Sequence, residues 1–344
     1  MHRVKLSLEE INAIKSLLGE AAAQYSSVED PRFLKDALVI AHEFPRRVRA
    51  FLNDFRQLEF SPSVCVVSGF PIDDVKIGPT PEHWKTKGNH RCTKEPEMLF
   101  VLLGSLLGDP IGWATQQDGH LLHDVFPIKG EEHEQISTGS EQVISWHNED
   151  AFHPYRGDYV GLLCLRNPEG IATTFTSMDK VNLSARHLEV LFEPRFVIRP
   201  DASHQSRNGV PDHKPENNGH HYLVRTAYHQ ISELGRNPPK LPILFGSRLA
   251  PYIRIDPYFM DKPDDAEAQC ALNSLIREVD AQLTDIVLQP GDCLFVDNYR
   301  AVHGRKSFKA KYDGTDRWLK RINITRDLRK SREVRVTCMS RTVF

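Results

Sequence analysis

The sequence predicts a mainly β protein with flanking helices, an α+β arrangement, and three observations carry that expectation. Up to about residue 110 the apolar positions recur with helical spacing. From there to about residue 327 they fall in short runs separated by Gly, Pro, Asn and Asp. One helical pattern, 263–282, is inserted among those runs. A chain of 344 residues is long enough for one large domain or two small ones, and for a substantial buried core.

The elements follow in chain order. Ser7-Leu8-Glu9-Glu10 has the form of a capping box, and Leu8, Ile11, Ile14, Leu17 and Leu18 continue it at helical spacing. A second helical pattern covers 31–56 and breaks near Pro45. "SVCVVSGFPID" (63–73) reads as a strand ending in a turn, and "EPEMLFVLLGSLLGDP" (95–110) as a buried helix stopped by Gly108 and Pro110. "DYVGLLCLRN", "RFVIRP", "YIRID", "DIVLQPGDCLFVDN" and "WLKRINITRD" are the strand-like runs. The polar segment 201–221, rich in Asn, Pro and His, is too long for an ordinary connection and is expected to be a lid loop. The expected organisation is a helical and strand region at 1–94 packed on a β core at 95–335, followed by a tail at 336–344.

Composition excludes several function classes. A formal charge of −2 with no isolated block of like charge gives no basis for nucleic-acid binding. No apolar run is long enough for a membrane span, and the N-terminus turns amphipathic without a signal-like apolar region. The six cysteines are widely spaced with no C-x-x-C, which fits reduced thiols and a cytoplasmic protein. A homo-oligomer is compatible with all of this.

The chemistry starts at "ISWHNEDAF". His147 and Glu149 are two apart beside a strand-like run, so alternation puts both side chains on one face. "DIVLQPGDCLFVDNYRAVHGRKSF" brings a further histidine, His303, on a distant strand-like run. Two imidazoles and one carboxylate occupy one face of an octahedral ion and leave three positions open. That arrangement suits Fe(II) that must accept an organic co-substrate and O2. Arg317 and Arg321 follow in "DGTDRWLKR", four apart on an apparent strand and so again on one face. Two fixed guanidiniums beside a metal site imply two carboxylates, because each can grip one through parallel hydrogen bonds.

Those segments, with "HNEDAFHPYRGDYVGLLCLRNP" and "VHGR", resemble the clavaminate synthase-like Fe(II)/2-oxoglutarate oxygenases. The resemblance is strongest to the branch that hydroxylates free amino acids (arginine, asparagine and lysine), and it covers about 95–335. It implies a double-stranded β-helix, the cupin-like distorted jelly roll. It implies that His147, Glu149 and His303 bind iron, and that Arg317 with Thr174 holds 2-oxoglutarate. Arg321 is then expected to hold the substrate α-carboxylate, with Gln116 and Glu149 at its α-amino group. No catalytic residue is implied beyond the iron site. Related halogenases carry a small residue in place of the carboxylate, so Glu149 implies hydroxylation.

Substrate choice rests on "YIRIDPYFMD". In the arginine hydroxylases of this branch two aspartates, two apart, grip the guanidinium; here the first matches Asp256 and the second position is Tyr258. A single carboxylate with a phenol suits a compact ammonium, so the expected substrate is L-lysine, hydroxylated at C3 or C4. L-Arginine or a related amino acid is the alternative, and desaturation is an alternative outcome. Rival classes are a protein-directed JmjC-type oxygenase, a non-catalytic cupin-like metal-binding protein and a zinc hydrolase. The zinc reading has no H-E-x-x-H to support it.

Overall fold

In the computed structural model, which describes residues 2–59, 63–85, 92–205 and 218–344, the strands at the centre are apolar on both faces. Cys65, Val67, Leu163, Leu165, Cys293 and Phe295 pack with the helices Leu8–Gln24, Pro31–Ala41, Arg46–Leu58 and Lys94–Ser105. Their alternates Val64, Val66, Leu162, Cys164, Leu294 and Val296 pack with Phe175, Ile286 and Ala301 of a second sheet. Successive side chains in a strand point to opposite faces, so a double-sided run belongs in a middle layer.

The larger sheet runs His2–Lys5, Val64–Ser68, Cys293–Asp297, Tyr159–Arg166, Trp318–Thr325, Asp109–Trp113 and Thr342–Val343, with Leu122–Val125 also paired to Trp318–Thr325. The smaller sheet runs Thr284–Ile286, Thr173–Ser177, Ala301–Arg305 and Ile144–His147. Its outer face, through Trp146 and Val302, is covered by the helices Ala185–Leu191 and Ala266–Ala281. The helix expected at 263–282 is this second one, capped by Asp265, whose side chain accepts from Ala268 N at 2.7 Å.

Several local expectations hold. Ser7 and Glu10 form the reciprocal capping box, and Pro45 separates two helices. Gly108 ends its helix where no side chain fits, since a Cβ there would lie 2.3 Å from the Thr325 carbonyl oxygen. Other expectations are corrected. A strand that the periodicity does not show precedes the first helix: His2–Lys5 runs parallel to Val64–Ser68. Leu8 is 74% exposed, because the buried face of the first helix is Ile14, Leu18 and Ala21. The region before residue 94 does more than pack on the core, since it supplies two strands of the larger sheet. The C-terminal segment is likewise built in, with Thr342–Val343 parallel to Asp109–Trp113. Of the expected lid at 201–221, residues 206–217 lie outside the described residues. Among the described residues no helix is long and apolar enough to cross a membrane.

Candidate active site

The two sheets leave a cavity of about 100 Å³ between them, and the smaller sheet carries two candidate metal ligands, His147 and His303, into it. His147 and His303 are directly opposed across the pair Ile144–His147 and Ala301–Arg305, with ring centroids 4.8 Å apart. Gly304 permits this close pairing, because a Cβ there would come within 2.6 Å of the Ile144 carbonyl oxygen. Strand pairing ends at His147, so Glu149 stands on the following turn and is held there by asparagines. Glu149 N donates to Asn298 Oδ1 at 2.8 Å, and Asn298 Nδ2 returns a bond to Glu149 O at 3.0 Å. Asn148, pointing the other way, donates to the Asn298 and Ala301 carbonyls, both at 2.9 Å.

The result is a convergent donor set. Glu149 Oε2 lies 3.7 Å from His147 Nε2 and 3.5 Å from His303 Nε2. His147 Nδ1 bonds the Ser145 carbonyl at 2.8 Å, which makes it a donor and aims Nε2 at the centre. Burial pulls the His147 imidazole down, but Glu149 and Asp256 outweigh it and raise it to about 9. A cation at the centre would therefore replace the Nε2 proton that now faces Glu149. These three residues fit a metal by atom type, convergence and fixed orientation.

Around this centre the charges are conspicuously incomplete. Arg317 is 4% exposed, its Nε has no hydrogen-bond partner, and no carboxylate pairs with it among the described residues. Burial lowers it to about 10, still fully charged near neutrality. Arg305 stands beside it, its guanidinium donating to the carbonyls of Gly139, Gln142 and Lys306. Arg321 is differently placed. It pairs with Glu149 Oε1 and donates through Nη2 to Gln116 Oε1 at 3.3 Å and to His123 Nδ1 at 2.9 Å. Burial pushes the Glu149 carboxyl up, but Arg321 and then the two histidines hold it well below the usual range. Asp256 is the opposite case to Arg317. Among the described residues it accepts only the backbone N–H groups of Tyr258 and Phe259, at 3.2 and 3.3 Å. Burial, with Asp201 adding like charge against His147, raises it to about 6.

Residues 53–323 match the family described as "Taurine catabolism dioxygenase TauD, TfdA family". The chain belongs to this family. Over their full lengths, chain and relative are 42% identical for the enduracididine beta-hydroxylase of Streptomyces hygroscopicus. The same identity holds, again over all of both chains, for the L-ornithine/L-arginine 3-hydroxylase of Catenulispora acidiphila. The crystal structure of the non-heme iron oxygenase OrfP with Fe, succinate and (3S)-hydroxy-L-Arg superposes with a TM-score of 0.93 at 43% identity, covering all of both chains. An L-lysine 3-hydroxylase of C. acidiphila is 29% identical over 95% of this chain and 87% of its own. This TauD-family chain is an iron- and 2-oxoglutarate-dependent amino-acid hydroxylase, and the arginine alternative fits it better than lysine.

The geometry of the oxygenase also sorts the remaining expectations. Thr174 does not face the cavity. Thr174 is opposite Gly304, whereas Thr173 is opposite Arg305 and lines the wall, so of the two adjacent threonines it is Thr173 that faces the cavity. Gln116 does not line the cavity; it lies behind Arg321 and donates to Ser203 Oγ at 2.6 Å. Tyr258 lines the rim and is 57% exposed, too open to serve as the buried partner of Asp256. Asp201, from the start of the segment 201–221, lines the cavity as Asp256 does. Sequence reasoning missed His123, Arg305 and the Asn148–Asn298 clasp, although "VHGR" contains Arg305 itself. In a second convergent set, Asp150, Asp201 and His204, the first and last pair with each other, while Asp201 accepts from Ser203 N at 2.7 Å. Asp150 accepts from Trp113 Nε1 at 2.5 Å and meets His204 Nε2 at 2.9 Å, which anchors the turn Ala202–His204.

Proposed function

We propose that this oxygenase hydroxylates C3 of free L-arginine or an arginine-like amino acid, with release of succinate and CO2. One observation carries the reading. The cavity holds a buried cation, Arg317, and a buried carboxylate, Asp256, neither in a salt bridge among the described residues, and Asp201 stands with Asp256 on its wall. Unpaired buried charges are costly, so they mark the places where ligand charges arrive. 2-Oxoglutarate and an amino acid with a cationic side chain supply those charges together. A planar guanidinium with five donors suits two carboxylates better than a compact ammonium does.

In this reading His147 Nε2, Glu149 Oε2 and His303 Nε2 hold iron, which with O2 and 2-oxoglutarate supplies the oxidation of an unactivated C–H bond. Arg317 grips the distal carboxylate of 2-oxoglutarate, with the Thr173 hydroxyl at its side. Arg321 presents its guanidinium to the substrate α-carboxylate while keeping Glu149 in place, and Gln116 steadies it from behind. Asp201 and Asp256 fix the far end of the substrate, which sets the carbon that faces the metal. The two facing sheets with the site between them support the double-stranded β-helix reading of the fold. The names of the 42% identical relatives support both the substrate class and C3.

The test is anaerobic reconstitution with Fe(II), then 2-oxoglutarate, O2 and a panel of L-arginine, L-homoarginine, L-ornithine and L-lysine, read by mass spectrometry. L-Arginine is expected to gain one oxygen at C3 with matching succinate. Turnover of L-lysine with none of L-arginine would overturn the assignment, and no amino-acid-dependent succinate at all would restore the non-catalytic alternative.

A further inference from the structure

Arg321 is opposed across the ladder by His123, a residue that the roles above leave unused. Both side chains point inward, and Arg321 Nη2 donates to His123 Nδ1 at 2.9 Å. The imidazole is only 2% exposed. Its other nitrogen meets the His120 carbonyl at 2.9 Å, which requires Nε2 to be the donor and leaves Nδ1 as the acceptor. The segment behind it is fixed in turn. Glu29 Oε1 accepts the N–H groups of Leu121 and Leu122 at 2.7 and 3.0 Å, and Glu29 Oε2 meets His120 Nδ1 at 2.8 Å. Burial, followed by the neighbouring Arg321 charge, lowers His123 to about 3, so the ring stays neutral.

We propose that His123 is a positioning residue for the substrate α-carboxylate, acting through Arg321. The inference rests on the amino-acid reading above and assigns a residue that this reading does not name. The choice of a neutral acceptor is what matters. A carboxylate at this place would neutralise Arg321 a second time, beside Glu149, and weaken its hold on an incoming carboxylate. An apolar residue would leave that guanidinium arm with only its longer bond to Gln116 Oε1, at 3.3 Å, and the long side chain would regain rotamer freedom. A neutral imidazole with a fixed tautomer holds the arm and leaves its charge available. The tie to Glu29 carries this fixation back to the connection between the first two helices.

The test compares L-arginine with agmatine, which keeps the amine and guanidinium and lacks only the carboxylate. Binding is measured by anaerobic calorimetry on the protein loaded with Fe(II) and 2-oxoglutarate, for wild type, His123→Phe and His123→Asn. Asparagine retains an acceptor near the place of Nδ1; phenylalanine retains bulk alone. His123→Phe is expected to weaken L-arginine roughly ten- to a hundred-fold and agmatine by less than about three-fold. His123→Asn is expected to recover most of the loss, with the visible charge-transfer band of the iron–2-oxoglutarate complex unchanged in all three proteins. Equal losses for both ligands, or no recovery in His123→Asn, would show a merely structural histidine and overturn the proposal. If His123→Phe does not fold, His123→Asn alone decides it: agmatine binding must be unaltered and L-arginine binding within a few-fold of wild type. Wild-type protein that binds neither ligand overturns the arginine reading itself, and the role of His123 with it.

Discussion

Two neighbouring rungs of one ladder treat a buried cation in opposite ways. Lys320 is opposite Asp124 and Arg321 is opposite His123, on the same two strands. The Lys320 side chain points to the helices, where Glu97 at 2.8 Å and Asp124 at 2.5 Å enclose it. Trp318 Nε1 also donates to Asp124, at 2.8 Å. Arg321 and Arg317 point to the cavity, where Arg321 has one carboxylate and Arg317 has none among the described residues. Burial alone therefore does not separate a structural cation from a functional one. What separates them is whether the fold itself supplies the countercharge.

The contrast can be broken first at its extremes. Arg317→Leu should lower kcat/KM for 2-oxoglutarate by about three orders of magnitude or more, while the thermal midpoint stays level or rises, since an unpaired buried charge has been removed. Lys320→Met should do the reverse. Two buried carboxylates lose their cation, so we expect a loss of about 3–5 kcal/mol in denaturant unfolding with KM values nearly unchanged in the protein that remains folded. If Lys320→Met left stability intact, the closed rung would not be the structural element described here.

Smaller effects sharpen the picture on the anionic side. Asp256→Asn should raise KM for L-arginine about a hundred-fold, with part of the 2-oxoglutarate consumption continuing uncoupled from hydroxylation. The same carboxyl gives a pH dependence. Asp256 is raised to about 6 in the free protein and must be ionised to hold a cation, so bound protein carries fewer protons there. Affinity for L-arginine should therefore rise with pH up to about 6, level off above it, and fall by up to about ten-fold per unit below. KM for 2-oxoglutarate, held by an arginine at about 10, should not follow that profile. Least of all, Thr173→Val should raise KM for 2-oxoglutarate a few-fold, roughly the worth of one hydrogen bond, and Thr174→Val should not.

These distinctions also explain what could be read from the chain. His147 with Glu149 and Arg317 with Arg321 were legible because their spacings are local, two and four residues, although Glu149 stands on the turn after its strand and Arg317 just before its own. The threonine was misassigned because phase cannot be read without register. Only the pairing of Thr173 with Arg305 shows which of two adjacent threonines looks inward. The preference for lysine over arginine rested on a similar gap. A second carboxylate was sought two residues beyond Asp256, at Tyr258, whereas the other carboxylate on the cavity wall comes from a remote segment, at Asp201. The strand His2–Lys5 was hidden because four residues carry too little periodicity, and its partner Val64–Ser68 is far along the chain.

The asparagine clasp around Glu149 has a consequence for how such enzymes diversify. Asn148 and Asn298 tie the metal-facing turn to the sheet, while Asp201 and Asp256 lie outside the two large sheets. Asn148 also exchanges two hydrogen bonds with Ile255, next to Asp256, so the metal-facing turn and the segment that carries Asp256 are fastened together. A change in one is felt by the other, and that segment is best exchanged between relatives together with its asparagine.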